Sequence, residues 1–520
     1  MKRFVLLFCE LILFICLFTV CDVSFAQIPV IQWQSSFGGS DRDYSNYIQQ
    51  TKDSGYIAIG RTYSSDGQIT GFHAPATNED IWVIKLTATG ALAWEKCLGG
   101  SGTDQGKCIQ QTKDGGYILT GWTNSTDGDI TQSFGGGDVW VVKLNDTGNI
   151  VWQRSYGEMG DDEGYYIQQT SDSGFIVAGR TDYEPGYHFG TGTDMWVIKL
   201  DDTGGLTWKK CYGGTNDDEA YAIHQTNDGG YIVGGITASS DGDVTYNHGG
   251  MYDYWVVKID DTGKIVWQHT YGGSGDDEGK DISLTIDSGY IMTGFSSSTD
   301  GDKTSVFGGY DIWTIKINDT GGIIWNKSYG GSSDDYAASV QQTADSGYVI
   351  AGYSYSSDGE VSANYGDLDM WVVKTDSMGN LQWQKNLGGD SIDECSRAIQ
   401  TFDGGFAVIG WTRSVDHDVT SNHGAADIWV AKLRDSAVTA LVPITIKQDL
   451  FYVYPNPANS VLNITAQNLI TQITITNLIG QTIFTQSYNA VQVQVDVAHF
   501  PPGVYFVKIN GSEVRRFVKE

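Results

Sequence analysis

The sequence predicts an all-β protein: a seven-bladed β-propeller of four-stranded blades closed by the N-terminal strand, followed by a small C-terminal β-sandwich. Three observations predict it. The pattern Asp-x-Trp-x-x-Lys recurs seven times, with its Trp at Trp82, Trp140, Trp196, Trp255, Trp313, Trp371 and Trp429. In the first six copies a second Trp follows twelve residues later (Trp94, Trp152, Trp208, Trp267, Trp325, Trp383), whereas the seventh has no follower and Trp33 stands alone ahead of the first. Glycine (66 residues) and aromatics (12%) are abundant, proline is scarce (8), and no long helical periodicity occurs. That is the composition of short strands and tight turns.

Residues 1–26 read as a signal peptide. Lys2 and Arg3 are basic, Phe4 to Val20 is almost wholly apolar, and Ser24-Phe25-Ala26 is a small-x-small cleavage site. Once it is removed, no transmembrane anchor is expected. The propeller is assigned to 27–435, in repeats of roughly 58 residues. One repeat shows the elements. Strand A starts near Ala220, and Asn227-Asp228-Gly229-Gly230 is a tight turn. Strand B starts at Tyr231 and carries Gly235. A longer loop leads to strand C at Trp255, and Asp261-Thr262-Gly263 turns into strand D at Trp267. The strands are nearly continuous apolar runs, so both faces should be covered, as in blades stacked around an axis. Trp33 is then a strand D without its strand C, and Trp429 a strand C without its strand D. Residues 32–37 should pair antiparallel with 428–433 and close the ring. The repeated Lys, such as Lys143, should meet the Asp of the A–B turn, such as Asp114. A hairpin symmetric about Asp146 would place Trp140 directly opposite Trp152.

Strand order puts the D–A and B–C loops on one side of the disc, where variable loops on a rigid frame usually carry binding. The D–A loops bring acidic runs such as Asp161-Asp162-Glu163, which could suit glycoside hydrolysis or calcium but fit turn capping better. The B–C loops carry Asp-Gly-Asp at Asp127/Asp129, Asp241/Asp243 and Asp300/Asp302, the candidate metal residues. The EF-hand pattern is not matched. No cofactor is predicted, and calcium is the one ion considered. A single site must break the sevenfold pattern. Arg61, Trp122, Arg180, Phe295, Tyr353 and Trp411 do so just after the strand B glycine, and Tyr183, Tyr187 and His188 do so in the third B–C loop. These nine are the candidate ligand-binding residues, for a glycan or a protein, since aromatics and Arg stack and anchor well.

The formal net charge of −31 repels nucleic acid and excludes it as a partner. Cys97, Cys108, Cys211 and Cys395 lack metal-ligand spacing and read as small apolar residues. No Ser/His/Asp set, phosphate loop or Cys/His cluster is visible. The functional reading is a secreted or surface-displayed binding or adhesion scaffold. The alternative is a polysaccharide-acting hydrolase or lyase using loop carboxylates.

The run Asp261-Thr262-Gly263-x-x-x-Trp267 resembles the tryptophan-docking repeats of quinoprotein-like propellers. The resemblance implies the architecture; no match to a quinone or calcium site accompanies it. A linker spans 436–448. In 449–520, Tyr454-Pro455-Asn456-Pro457, Asn477-Leu478-Ile479-Gly480-Gln481, Gly503-Val504-Tyr505-Phe506-Val507 and a basic end at Arg515 to Lys519 come in order. This module is similar to the type A C-terminal sorting domain of the type IX secretion system of Bacteroidetes. The resemblance implies recognition by that secretion machinery, then a place outside the cell or on the outer-membrane surface.

Overall fold

Alternating turn signals and apolar runs produce four strands per repeat. In blade 1 these are strand A, Asp43–Gln50; B, Tyr56–Thr62; C, Asp80–Leu86; and D, Leu92–Leu98. The structure is a computed structural model, and it describes residues 28–75, 77–182, 192–434, 451–454, 457–477, 481–510 and 513–519. The expected signal peptide and linker, with Tyr183, Tyr187 and His188, lie outside the described residues. No helix among the described residues is long and apolar enough to cross a membrane. The chain divides into two compact units, Met1–Ala437 and Val438–Glu520.

In the first unit seven antiparallel sheets each run A-B-C-D. Strands A of neighbouring blades touch one another from the first to the seventh and back to the first, so strand A lines the axis. The last sheet takes its strand D from the other end of the chain: Val30–Phe37 pairs antiparallel with Asp427–Arg434. Trp429 Nε1 donates to Gln34 Oε1 at 2.8 Å, just as Trp140 donates to Gln153 and Trp255 to Gln268 within their own blades. The closure therefore reproduces the contacts of a continuous blade and leaves no open edge in the circle.

Strand C is buried on both faces in every blade. The repeated Lys reaches the A–B turn Asp in all seven, at 2.8–3.1 Å. The expected face-to-face pairing of the two Trp does not occur. Trp140 stands opposite Ser155 and Trp152 opposite Lys143, with the register shifting at Leu144. The turn is the reason. Asn145 Oδ1 accepts the N–H groups of Thr147 and Asn149, and Gly148 takes φ +80°. The turn therefore centres on Thr147–Gly148 rather than Asp146, and the two indoles lie on opposite faces. Trp140 is buried in its own blade, while Trp152 packs edge-on against Phe175 of the next, ring centres 5.9 Å apart. The same edge-on contact joins Trp33 to Tyr56, Trp94 to Tyr117, Trp208 to Tyr231, Trp325 to Tyr348 and Trp383 to Phe406, and a more tilted one joins Trp267 to Tyr290.

Among the described residues the C-terminal unit has five strands. Val461–Asn477 pairs with Phe451–Tyr454 at its start, with Thr482–Asp496 along its length, and with Gly503–Ile509 at its end. Gly503–Ile509 continues through Asn510 into Glu513–Lys519. Leu462, Ile473, Val495, Val507 and Phe517 are among the residues of its own core.

Candidate functional site

The inner strand decides what the axis presents. In each strand A the first residue, an Asp, is buried, and the second and fourth are half-buried. A bulge follows the third residue. Gly106 pairs with Gly121 and Cys108 with Thr120, which leaves Lys107 as the extra residue, and the shift recurs in the other six blades. A bulge bends the strand and re-aims its side chains. The second and fourth residues thus converge with the residue after the strand B glycine around an axial cavity of about 320 Å3. Glycine is required at that strand B position: a Cβ on Gly60 would lie 1.8 Å from the Tyr44 carbonyl oxygen.

The walls are aromatic and charged. Tyr44 and Trp411 pack edge to face at 5.0 Å, and the Arg61 guanidinium lies 5.1 Å from the Tyr44 ring centre. Phe295, Tyr336 and Tyr353 form a second aromatic group, and Lys280 sits 4.4 Å over Tyr221. Arg180 bridges Glu163 at 2.8 Å and Glu219 at 3.2 Å. Burial pushes Glu163 up, but Lys107 and Arg180 outweigh it and hold its carboxyl below the usual range. Burial raises Glu394, which also lines the cavity, against the opposing pull of Arg61. Deeper in, Arg397 pairs with Asp281 at 3.3 Å and lies 4.3 Å over Tyr47, whose hydroxyl is 3.3 Å from that of Tyr166. His224 packs on Tyr166, and burial pushes it down to about 4, so it is neutral. These side chains form a plug beneath the cavity.

Of the sequence-predicted residues, Arg61, Phe295, Tyr353 and Trp411 line this cavity. Arg180, in its ion pairs with Glu163 and Glu219, does not line it, and Trp122, half-buried, packs against Gly137. Sequence reasoning missed Tyr44, Tyr165, Tyr221 and Lys280, which occupy the second and fourth strand A positions. The signal was the variation at the fourth position, Asn46, Lys107, Tyr165, Tyr221, Lys280, Ala338 and Ser396, three residues after a repeated Asp.

The acidic runs separate into three roles. Asp161 Oδ1 accepts the Gly137 N–H at 2.7 Å, Asp162 is buried and accepts the Glu158 N–H at 2.9 Å, and Glu163 pairs with Arg180 at 2.8 Å. The Asp-Gly-Asp residues bond loops: Asp127, Asp241 and Asp300 accept the N–H groups of Ser101, Thr215 and Ser274 at 2.7–2.8 Å. Asp129, Asp243 and Asp302 accept those of Gly99, Gly213 and Gly272 at 3.2–3.4 Å. Among the described residues, the groups of His, Cys, Asp or Glu close enough to share an ion lie elsewhere: Asp390, Asp416 and His417 on the surface, and His73, Asp80 and Cys97 in blade 1. The second is the Cys/His cluster that the sequence did not reveal, because 7 and 17 residues separate its members.

The first unit is thus a seven-bladed β-propeller with an axial cavity. Residues 452–520 match the secretion system C-terminal sorting domain. The C-terminal unit is therefore a type IX sorting domain, which marks the protein for export to the cell surface or extracellular space. No curated protein matches the chain. Among solved structures, Sqt1 from Chaetomium thermophilum is 10% identical, with 93% of this chain and 100% of that one covered and a TM-score of 0.39. PorZ, a surface component of the type IX secretion system of Porphyromonas gingivalis, is 11% identical over 90% of this chain and 69% of its own, with a TM-score of 0.28. An ancestral GH74 enzyme is 10% identical over 94% and 63%, with a TM-score of 0.40. Identities and TM-scores this low say nothing about activity.

Proposed function

We propose that the propeller is an extracellular binding scaffold whose axial cavity takes a glycan. One observation carries this reading: Arg61, Phe295, Tyr353 and Trp411, which vary after the repeated strand B glycine, gather with Tyr44, Lys280 and Glu394 in one cavity. Trp411, Tyr44, Tyr353 and Phe295 offer apolar faces for sugar rings, and Arg61, Lys280 and Glu394 offer fixed donors and acceptors for hydroxyls. The sorting domain supports a place of action outside the cell. A glycan array probed with the full chain should give discrete hits. Trp411→Ala and Arg61→Ala should each weaken them by about tenfold or more, as truncated anchor residues do. Hits that both variants retain unchanged would move the ligand to another face.

The raised Glu394 carboxyl favours a second reading, hydrolysis of the bound glycan with Glu394 as general acid, since a half-buried carboxyl raised by desolvation beside Trp411 suits that role. Glu394→Gln separates the two. If it leaves binding intact and abolishes release of reducing ends, the protein is an enzyme. If no reducing ends appear with the unaltered chain on any glycan it binds, it is a scaffold alone.

A further inference from the structure

Blade 1 has the longest B–C loop, and that loop returns to strand C at Asp80. Asp80 Oδ2 accepts the backbone N–H of His73 at 2.8 Å and lies 3.0 Å from His73 Nδ1. Cys97, three residues beyond the strand D Trp, places its Sγ 3.3 Å from the same oxygen. All three donor atoms lie within 4.8 Å of one another. Asp80 and Cys97 are buried, and the His73 side chain is 33% exposed, which leaves a path in from solvent. The other carboxylate oxygen, Asp80 Oδ1, is buried without a hydrogen-bond partner, as are the Oδ1 atoms of Asp138, Asp253, Asp311, Asp369 and Asp427, so that feature belongs to the repeat and the donor set itself sets blade 1 apart.

The other blades provide an internal control. The strand C aspartate is present in each, and the Cys97 position holds Cys211 in blade 3 but Ser155, Thr270, Ser328, Asn386 and Ser36 in blades 2, 4, 5, 6 and 7. There the hydroxyls of Thr270 and Ser328 bond loop carbonyls, those of Tyr246 and Ser305. His248 and His423 approach the aspartates of blades 4 and 7 without a thiol. Among the described residues, only blade 1 brings imidazole, carboxylate and thiol together.

We propose that blade 1 binds one divalent cation of the zinc class through His73 Nδ1, the Asp80 carboxylate and Cys97 Sγ. Nitrogen, oxygen and sulfur donors select a borderline-soft ion and disfavour calcium, which takes oxygen ligands. Donor separations of 3.0 and 3.3 Å approximate the edges of a tetrahedron with Zn–N near 2.0–2.1 Å and Zn–S near 2.3 Å. Binding breaks the S–H bond of Cys97, forms the sulfur–metal bond, and releases one proton to solvent with no change of oxidation state. The exposed side of His73 leaves the fourth position to water. The ion would fasten the long B–C loop to strand D.

Cobalt(II) added to the metal-free full chain tests this. One equivalent should give the visible bands of a tetrahedral site and a near-ultraviolet thiolate-to-cobalt band, release one proton, and be displaced by zinc. Cys97→Ser, the residue found at that position in three other blades, should keep the metal-free melting temperature. It should lose the thiolate band and bind at least about tenfold more weakly, the cost of losing even an outer-shell partner. His73→Ala, a change at a partly exposed side chain, should weaken binding similarly while keeping the thiolate band. The proposal is overturned if the unaltered chain shows no thiolate band, or if Cys97→Ser keeps the band or the affinity.

Discussion

At the scale of single residues, equivalent side chains carry unequal weight because their faces differ. Trp140 is fully buried and hydrogen-bonded to Gln153 at 2.8 Å, whereas Trp152 is half-buried and supports only the seam with the next blade. Trp140→Ala should therefore cost about 3–5 kcal/mol, and Trp152→Ala only roughly 1–3 kcal/mol. Urea midpoints decide this, and equal losses would mean that the docked indole matters as much as the buried one. The A–B turns give a second contrast. Gly115, Gly229 and Gly404 take φ between +84° and +90°, but Ser54, Ser173, Ser288 and Ser346 take φ between +65° and +73° at the equivalent position. A left-handed serine costs about 1–2 kcal/mol in backbone strain. Part of that is offset by the extra freedom glycine gives the unfolded chain. Ser54→Gly should accordingly raise the melting temperature slightly, and a lower value would show that the hydroxyl contributes more than the strain removes.

At the scale of the element, the hairpins explain why the repeated Lys persists. Lys143 has 8% of its side chain exposed and Asp114 has 65%. Burial pushes the Asp114 carboxyl up, but hydrogen bonds from Thr112, Lys143 and the Gly116 amide bring it down to about 2. Removing the exposed partner strands a buried ammonium, while removing the ammonium leaves a carboxylate that water solvates. Asp114→Asn should thus cost about 1–2 kcal/mol and Lys143→Met less than about 0.5 kcal/mol, both read from urea denaturation at pH 7. The reverse order would mean that the attraction itself stabilises the blade. This pair was legible in the sequence, since Lys143 and Asp114 recur at fixed spacing and strand direction brings them to one side. So was the closure, because Trp33 and Trp429 are complementary halves of one repeat. The turn centre at Thr147–Gly148 was not, because an Asx turn and an even-handed hairpin share the same length of chain. The axial site was only half legible. Arg61, Phe295, Tyr353 and Trp411 betray themselves by varying beside an invariant glycine, but Tyr165 and Lys280 reach the cavity through a bulge that no spacing announces. Cys97 is free and buried in the core, as its sequence context suggested, but its approach to Asp80 and His73 was not legible because they meet it only once strands C and D have paired.

At the scale of the whole molecule, the ring is tied together by features that act in concert. On the A–B turn side, Gln111, Gln169, Gln225, Gln342, Gln400 and Gln50 each accept a backbone N–H from the neighbouring turn, and the bond from Phe402 N–H to Gln50 at 2.8 Å completes the circuit. Leu284 interrupts that belt in blade 5. On the other side lies a ring of buried carboxyls: the aspartates opening strand C of one blade and strand A of the next flank one glycine, as Asp427 and Asp43 flank Gly38. Burial is the main cause that raises them, together with the neighbouring aspartate in pairs such as Asp43–Asp427 and Asp253–Asp277. Asp43, Asp104, Asp162 and Asp218 reach about 6, and Asp253 and Asp369 about 7. In the unfolded chain such groups titrate near 3.9. Between about pH 4 and 7 the folded state therefore binds more protons than the unfolded state, and stability falls as pH rises through that window. The turn aspartates work the other way: Asp53 and Asp114, held at about 2, stabilise above pH 4 and lose that contribution as pH falls towards 2. The melting temperature should consequently rise as the pH is lowered from 8 to about 5 and drop below about 4. Asp43→Asn, which removes one ionisable member of the ring, should flatten the upper limb slightly and leave the lower limb unchanged. A melting temperature that only declines from pH 7 downward would show that the buried carboxyls stay ionised, each with a counter-charge in the folded protein.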